Sequence, residues 1–374
     1  MLAVRVLSGV EDVPQAAWDR LVGDASPFVE WAYLRACEVD SATPVHGIHP
    51  RHVTAWRGDE LVGAVPLYLK RDGRGEFIYD FAWYQLSRRL RAPYYPKLVS
   101  MGPFAPFDVP HLLVHPADPE RAAVREALLD AVEAQPGAAG IHWLFVSDED
   151  ARALAARGYA RRASLQLAWE RGELTTFDAW LASLTSKDRV RTRRELRRVE
   201  EAGLEVERVE GDAVTLDDVD LMRRYYEATC AAHGTGSDYL KPGTWALLAR
   251  DWRHRLVLFF AREGGRRVGG SLLVHKGLDL YGRYWGAEGD RPFLYFTLCF
   301  YRPIQHALER RLARVYAGAG VTFYKHARGF APLPVTSMHR VADPGLQSAI
   351  AAHAAVEAAD VARTIAALRG APPT

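Results

Sequence analysis

Apolar residues recur at three- and four-residue spacing over positions 14–22 and 26–38, which predicts two helices. The second opens with Ser26 as N-cap and Pro27 in the first helical position. The pattern then changes period. Residues 53–56 and 61–70 flank the turn Arg57-Gly58-Asp59-Glu60 and predict a β-hairpin. Positions 73–110, rich in Tyr, Pro and Gly, read as a long loop, a length that usually serves function or hides short elements. A strand at 111–114, a helix at 119–133, a strand at 141–146 and a helix at 148–157 complete the first half.

The second half repeats that order. Helices are predicted at 177–183, at 188–202 (ended by Gly203), at 217–233 and at 243–252. Residues 256–262 and 267–275 form a hairpin about Glu263-Gly264-Gly265-Arg266, continued by a strand at 278–285, a helix at 293–311 and a strand at 314–317. Hairpin, loop, helix and strand in that order occur twice, which suggests duplication of one supersecondary unit. A meandering sheet followed by strand–helix–strand is the order of the GNAT acyltransferase fold, and two such units in one chain is the order of the Fem-type aminoacyltransferases. The expected architecture is α/β (α+β): two tandem GNAT-like acyltransferase domains, each a mixed twisted sheet flanked by helices. The expected division is 1–165 and 166–374, with the boundary near 161–171 and a basic helical segment at 187–202 in the second domain.

A length of 374 residues suits two domains, and 49% hydrophobic with 25% charged residues is the profile of a globular protein. The formal net charge of +2 announces no global attraction to nucleic acid or membrane, so such a partner must meet a local patch. Cys37, Cys230 and Cys299 lie far apart without CxxC spacing, which argues against a disulfide framework or a zinc knuckle. The opening residues lack the pattern of a signal peptide and no stretch reaches the roughly 18 apolar residues of a membrane span, so a cytoplasmic location is expected.

The chemistry-bearing candidates are mostly cationic and aromatic. From Lys187 to Arg198 there are seven basic side chains against two acidic ones, either a solvated helix with internal ion pairs or a phosphate-binding surface. Lys187, Arg191 and Arg194 are the candidates there for donor phosphates. Arg283-Tyr284-Trp285 ends a predicted strand just before a helix, where ligands dock in α/β sheets, and an arginine inside a strand needs an anionic partner or a ligand. Lys325 to Phe330, containing His326 and Arg328, leaves the last strand of the second half and reads as an anion-orienting turn or a capped surface turn. Tyr94-Tyr95-Pro96-Lys97 in the long loop either binds an anion or braces the loop. His233 is most simply a helix C-terminal histidine. His111, His115, His275 and His306 have no metal-ligand spacing, and neither the 286–292 loop nor 115–121 carries the usual coenzyme A cradle.

Taken together, these segments resemble a family of predicted bacterial N-acyltransferases of the GNAT superfamily, the peptidoglycan biosynthesis/recognition type, related in fold to the Fem-type aminoacyltransferases. The resemblance is carried by SPFVEWAYLRACE from Ser26, GEFIYDFAW from Gly75 and YYPKLVSMGPFAP from Tyr94. It continues in FDAWLASLTSKDRVRTRRELRR from Phe177, LYGRYWG from Leu280 and KHARGFAPLPVTS from Lys325. It implies the double GNAT arrangement and transfer of an acyl group from an activated donor to an amine. The chain departs from the family where it has Ala168 for histidine, Thr297 for glutamate, and Phe323-Tyr324 for an acidic-His pair before the lysine. Catalysis is then expected to rest on proximity and electrostatics, or the substrate has changed. The expected catalytic residues are Arg283, Tyr284, Tyr324 and Lys325. Donor-binding residues are Lys187, Arg191, Arg194 and Arg328, and acceptor-binding residues are Tyr95, Lys97, Tyr281 and Trp285. No metal and no tightly bound cofactor are expected. Acyl-CoA or aminoacyl-tRNA is the co-substrate, the partners are a small-molecule amine and the acceptor end of a tRNA, and DNA is not among them. Two rivals stand beside this reading: an aminoacyl-tRNA-dependent aminoacyltransferase of Fem type, and a non-catalytic ligand-binding relative.

Overall fold

The computed structural model describes residues 2–233, 239–320 and 323–370; the side chain of His233, a candidate from the sequence, lies outside the described residues. In chain order the strands begin with β1 (Leu2–Leu7), β2 (His49–Pro50), β3 (His52–Arg57), β4 (Glu60–Val65), β5 (Leu67–Lys70), β6 (Lys97–Ser100), β7 (Leu113–Val114) and β8 (Gly140–Trp143). They continue with β9 (Ala160–Glu170), β10 (Leu204–Glu210), β11 (Leu256–Glu263), β12 (Arg266–Lys276), β13 (Asp279–Ala287), β14 (Arg314–Tyr316) and β15 (Ala331–Val341). The chain divides into two compact units, residues 1–164 with 334–363, and residues 165–333 with 364–374. Residues 334–363, expected with the second domain, therefore group with the first.

In the first unit β1-β3-β4-β7 form an antiparallel sheet. The unit's other strands pair in the order β15-β8-β6-β5-β2, antiparallel except for the parallel pair β6 and β8. Helix Arg121–Glu133 lies between those two parallel strands in sequence and turns Val124, Leu128, Leu129 and Val132 into a core with Val53, Val65, Leu98 and Trp143. The stretch 73–110 is not one loop. It holds helix Phe81–Leu90 and β6, and the helix is pinned by Trp83, which packs with Tyr94, Leu346 and Ile350. Its anchor comes from helix Pro344–Gly370, far away in sequence, so local periodicity gave no sign of it.

In the second unit the sheet order is β10-β11-β12-β13-β14-β9, antiparallel except for the parallel pair β13 and β14. The helix expected at 293–311 is broken into Leu294–Phe296, a π segment at Thr297–Tyr301, and Arg302–Glu309. Pro303 supplies the reason: it has no N–H to give to the preceding turn, and the ladder shifts to the wider spacing just before it. Leu298, Phe300, Tyr301, Ile304 and Ala307 turn inward against Val257, Phe259 and Leu280. Both units thus carry one parallel strand pair joined through a helix inside a largely antiparallel sheet.

Candidate functional site

The parallel pair of the second unit parts early. β14 meets β13 only at Asp279↔Arg314, Leu280↔Val315 and Tyr281↔Tyr316, while β13 runs on to Ala287, paired on its other side with β12. From Gly282 onward that edge has no strand neighbour among the described residues. The register between β12 and β13 shifts between Leu272 and Leu273, which pair with Tyr284 and Gly282, so Arg283 is the extra residue of a β-bulge. Two glycines make room for this. A Cβ on Gly282 would stand 2.9 Å from the Tyr316 carbonyl oxygen, and one on Gly286 would stand 2.0 Å from that of Tyr225 on helix Leu216–His233.

A cavity of about 270 Å³ opens along this edge. Arg283, Tyr284, Trp285, Tyr324 and Lys325, five residues expected from the sequence, line it. The Arg283 guanidinium lies 4.8 Å from the centre of the Tyr284 ring and donates to its hydroxyl at 2.9 Å. Tyr284 in turn packs against Tyr226 and Trp245, with ring centres 4.7 and 4.8 Å apart, so the bulge is braced from the helix side. Trp285 meets Tyr295, whose hydroxyl is 3.4 Å from that of Tyr324. Tyr226, Thr229, Tyr295 and Cys299 also line the cavity and were not expected. They come from separate helical segments, and no spacing in the sequence marks them as neighbours of Arg283.

Lys325 is buried in the wall of this cavity. Its Nζ donates to the carbonyls of Ala319 and Gly320 at 3.0 and 2.9 Å. With two carbonyls satisfied, the remaining position on Nζ is a third N–H when the amine is protonated and a lone pair when it is not. Burial pushes its pKa down to about 8. Cys299 sits close by, and burial raises its thiol pKa, so it is a neutral wall and not a nucleophile. Thr297, standing where the family resemblance implies glutamate, is buried with Oγ1 lacking a hydrogen-bond partner among the described residues. Ala168 lies in β9 opposite Tyr316, inside the sheet.

The remaining expected residues are spread out. Arg328 is spent on the fold: it binds both Glu195 oxygens at 2.8 and 2.6 Å, the Tyr301 hydroxyl at 2.7 Å and the Tyr324 carbonyl at 2.7 Å. A guanidinium with those four bonds, 2% exposed, is not set out to receive a donor phosphate. Arg191 pairs with Asp188 on its own helix, Ser186–Glu201. That helix buries Asp188, Thr192, Glu195 and Val199, and the polar stripe is explained by the Arg328–Glu195 pair and the Thr185 cap. Lys187 and Arg194 are exposed on it, and Arg194 lines a second cavity of about 630 Å³ with Arg198, Glu263, Asp290 and Arg291. Tyr281 stacks on Tyr316 in the sheet, ring centres 4.7 Å apart, away from the cavity lining. His326 is tied to the Phe330 carbonyl at 3.2 Å, which makes it part of the turn.

Tyr95 and Lys97 belong to the first unit and form an ionic core there. Lys97 is 1% exposed and donates to Glu76 at 2.9 Å and Asp80 at 2.6 Å, and the Tyr94 and Tyr95 hydroxyls also donate to Asp80. Burial opposes the charge on Lys97, but the two carboxylates more than offset it and hold its pKa above that of an ordinary lysine. These side chains brace β6 against the segment before it, in place of the acceptor-binding role expected for them. Among the described residues no group of three or more His, Cys, Asp or Glu side chains is placed to hold a metal ion.

The likeness to known proteins agrees with this geometry. The structure of FemX is similar over 91% of this chain and 98% of that chain, with a TM-score of 0.58 at 13% identity. The C-terminal domain of a putative lysylphosphatidylglycerol synthetase from Agrobacterium fabrum is similar over 94% and 95%, with a TM-score of 0.51 at 14% identity. A conserved protein of unknown function from Bacteroides thetaiotaomicron is similar over 91% and 100%, with a TM-score of 0.52 at 11% identity. At such identities the likeness establishes the fold. No curated protein matches the chain. The sequence itself matches the FemAB-like family, described as peptidoglycan biosynthesis/recognition, over residues 9–374, and the chain belongs to that family.

Proposed function

We propose that the chain transfers an acyl group from an activated donor to an amine at the edge where β13 leaves β14. The observation that carries this is Lys325: a buried amine with a pKa lowered to about 8, in the wall of a cavity beside an open strand edge. An open edge offers main-chain groups to the amide or ester atoms of an extended ligand. The amine nitrogen attacks the donor carbonyl, forming the C–N bond as the carbonyl electrons move to oxygen. Neutral Lys325 accepts the proton lost by that nitrogen. The oxyanion is stabilised by nearby donors, with Arg283 in reach of the cavity, and it collapses with cleavage of the carbon–leaving-group bond. Tyr324 supplies the proton the leaving group takes, with Tyr284 and Trp285 shaping the cavity around the acyl chain.

The donor is an acyl-CoA, or an aminoacyl-tRNA. The second reading is favoured by the exposed Lys187 and Arg194 and by the arginine-lined cavity that Arg194 shares with Arg198 and Arg291, groups suited to a phosphate backbone. The family's description supports an amine of a peptidoglycan precursor as acceptor. The test is transfer measured by mass spectrometry with acyl-CoA and aminoacyl-tRNA donors, in the parent chain and in Arg283→Met and Lys325→Met. The expected result is product formed by the parent and at least about a hundredfold less by Lys325→Met, with an unchanged unfolding temperature for Arg283→Met. Transfer undiminished in Lys325→Met overturns the assignment. No transfer with any donor leaves the binding-protein reading in its place.

A further inference from the structure

The first unit carries a surface that no part of the acyl-transfer reading uses. Helix Phe81–Leu90 turns Trp83 and Ser87 inward, and its opposite side is exposed. On that side Phe81 and Arg88, seven residues apart, lie along one line, with Gln85 between them and Arg89 beside them. Phe81 is 70% exposed and Tyr79 is 66% exposed, and the two rings stack on each other at 5.8 Å with 12° between planes. Two large aromatic rings are thus held in solvent against the general tendency to bury them. At the other end of the helix Arg88, Arg89 and Arg91 are exposed, and their guanidinium groups make no hydrogen bond or ion pair among the described residues. Several other arginines of this unit are matched: Arg57 with Asp118 and Glu120, Arg121 with Glu149, Arg157 with Asp130. The lone carboxylate from position 77 to 93 is Asp80, and it is turned inward onto Lys97, Tyr94 and Tyr95.

We propose that this face, Tyr79 and Phe81 with Arg88, Arg89 and Arg91, docks the protein on an anionic lipid bilayer. A ten-residue helix is about 15 Å long, enough to lie along the headgroup layer with its aromatic end at the acyl boundary and its guanidinium groups on lipid phosphates. The inner side is already fixed by Trp83 against Leu346 and Ile350, so docking costs no refolding of the helix. Charge complementarity names the occupant: exposed cations on a segment whose own carboxylate, Asp80, is turned inward, beside exposed aromatic rings. A single-stranded nucleic acid is a poorer fit, because its bases stack on platforms set in grooves, whereas these two exposed rings are stacked on each other.

The test is co-sedimentation of the full chain with vesicles of phosphatidylcholine alone and with about 30% phosphatidylglycerol, at low and high salt. The expected result is binding to the anionic vesicles that falls with salt. Arg88→Gln/Arg89→Gln/Arg91→Gln should weaken partitioning on the order of a hundredfold, about fivefold per arginine. Tyr79→Ser/Phe81→Ser should weaken it by at least about tenfold. All five side chains are exposed, and circular dichroism of each variant checks that the fold is kept. Arg193→Gln/Arg197→Gln, on the basic helix of the other unit, should bind vesicles as the parent does. No binding to anionic vesicles overturns the proposal. So does an equal loss in the Arg193/Arg197 variant, or a loss of RNA binding by the patch variants with vesicle binding intact.

Discussion

Lys325 joins environment and chemistry most directly. An unfolded lysine titrates near 10.4, whereas burial brings this one to about 8. As a proton acceptor it must be neutral, so kcat should rise with pH through about 8 and level off above it. The sign for stability is the same. Between about 8 and 10.4 the unfolded chain holds this proton more tightly than the folded one, so the burial penalty is full below pH 8 and fades as pH climbs across that window. A pH–rate profile of the parent and of Lys325→Met, with unfolding midpoints at pH 7 and pH 10, checks both. The inflection near 8 should vanish in the variant, and a parent profile that falls through that pH would assign the lysine as acid. Arg328 shows how the same residue type reads differently in place: it looked like a phosphate ligand in the sequence, yet Glu195, Tyr301 and the Tyr324 carbonyl consume its donors.

Strand β13 is where local sequence and site meet. Its glycines are there because other main chain comes too close for a side chain, and Gly286 is the tightest, with the Tyr225 carbonyl 2.0 Å from where a Cβ would stand. Gly286→Ala must push helix Leu216–His233 off the strand, and with it Tyr226, which braces Tyr284 and lines the cavity. The expected outcome is a fall in unfolding temperature of roughly 5 °C or more together with loss of transfer activity. Gly9→Ala, whose Cβ would meet nothing closer than 3.7 Å, should change neither. The LYGRYWG segment thus announced its strand, because alternation and glycine spacing are local properties, and Arg283, Tyr284 and Trp285 on it line the cavity. What the local pattern left unread was strands whose exposed positions carry charge, as in β10 (Leu204–Glu210), and helix Phe81–Leu90, whose one deep anchor is Trp83. Tyr226, Tyr295 and Cys299 escaped for the same reason: each is made part of the cavity by a contact across the sequence, and no period records that.

The chain's path sets a longer-range dependence. After the second unit it returns, and residues 334–363 complete the first unit rather than extend the second. β15 pairs with β8 from Met338↔Trp143 to Val341↔Gly140, the Val146 N–H reaches the Thr336 carbonyl at 2.9 Å, and Leu346 and Ile350 cover Trp83. Met338 is 0% exposed and sits in the core built by Leu98, Ile141 and Trp143, all more than a hundred positions earlier. A buried charge at Met338 must therefore damage the first unit, though its place in the sequence assigns it to the second half. Met338→Asp should speed amide exchange of β8 and β6 by a hundredfold or more, from a burial cost of about 3 kcal/mol. Amides of β11 and β12 should keep the parent's protection, because both strands belong to the second unit whereas Met338 belongs to the core of the first. Equal loss of protection in β8 and in β11 would mean that the two units unfold as one; protection retained in β8 would mean that the returning strand is dispensable to the first. The predicted asymmetry follows from topology alone: the N-terminal fold cannot be completed until the chain's last strand and helix have been made.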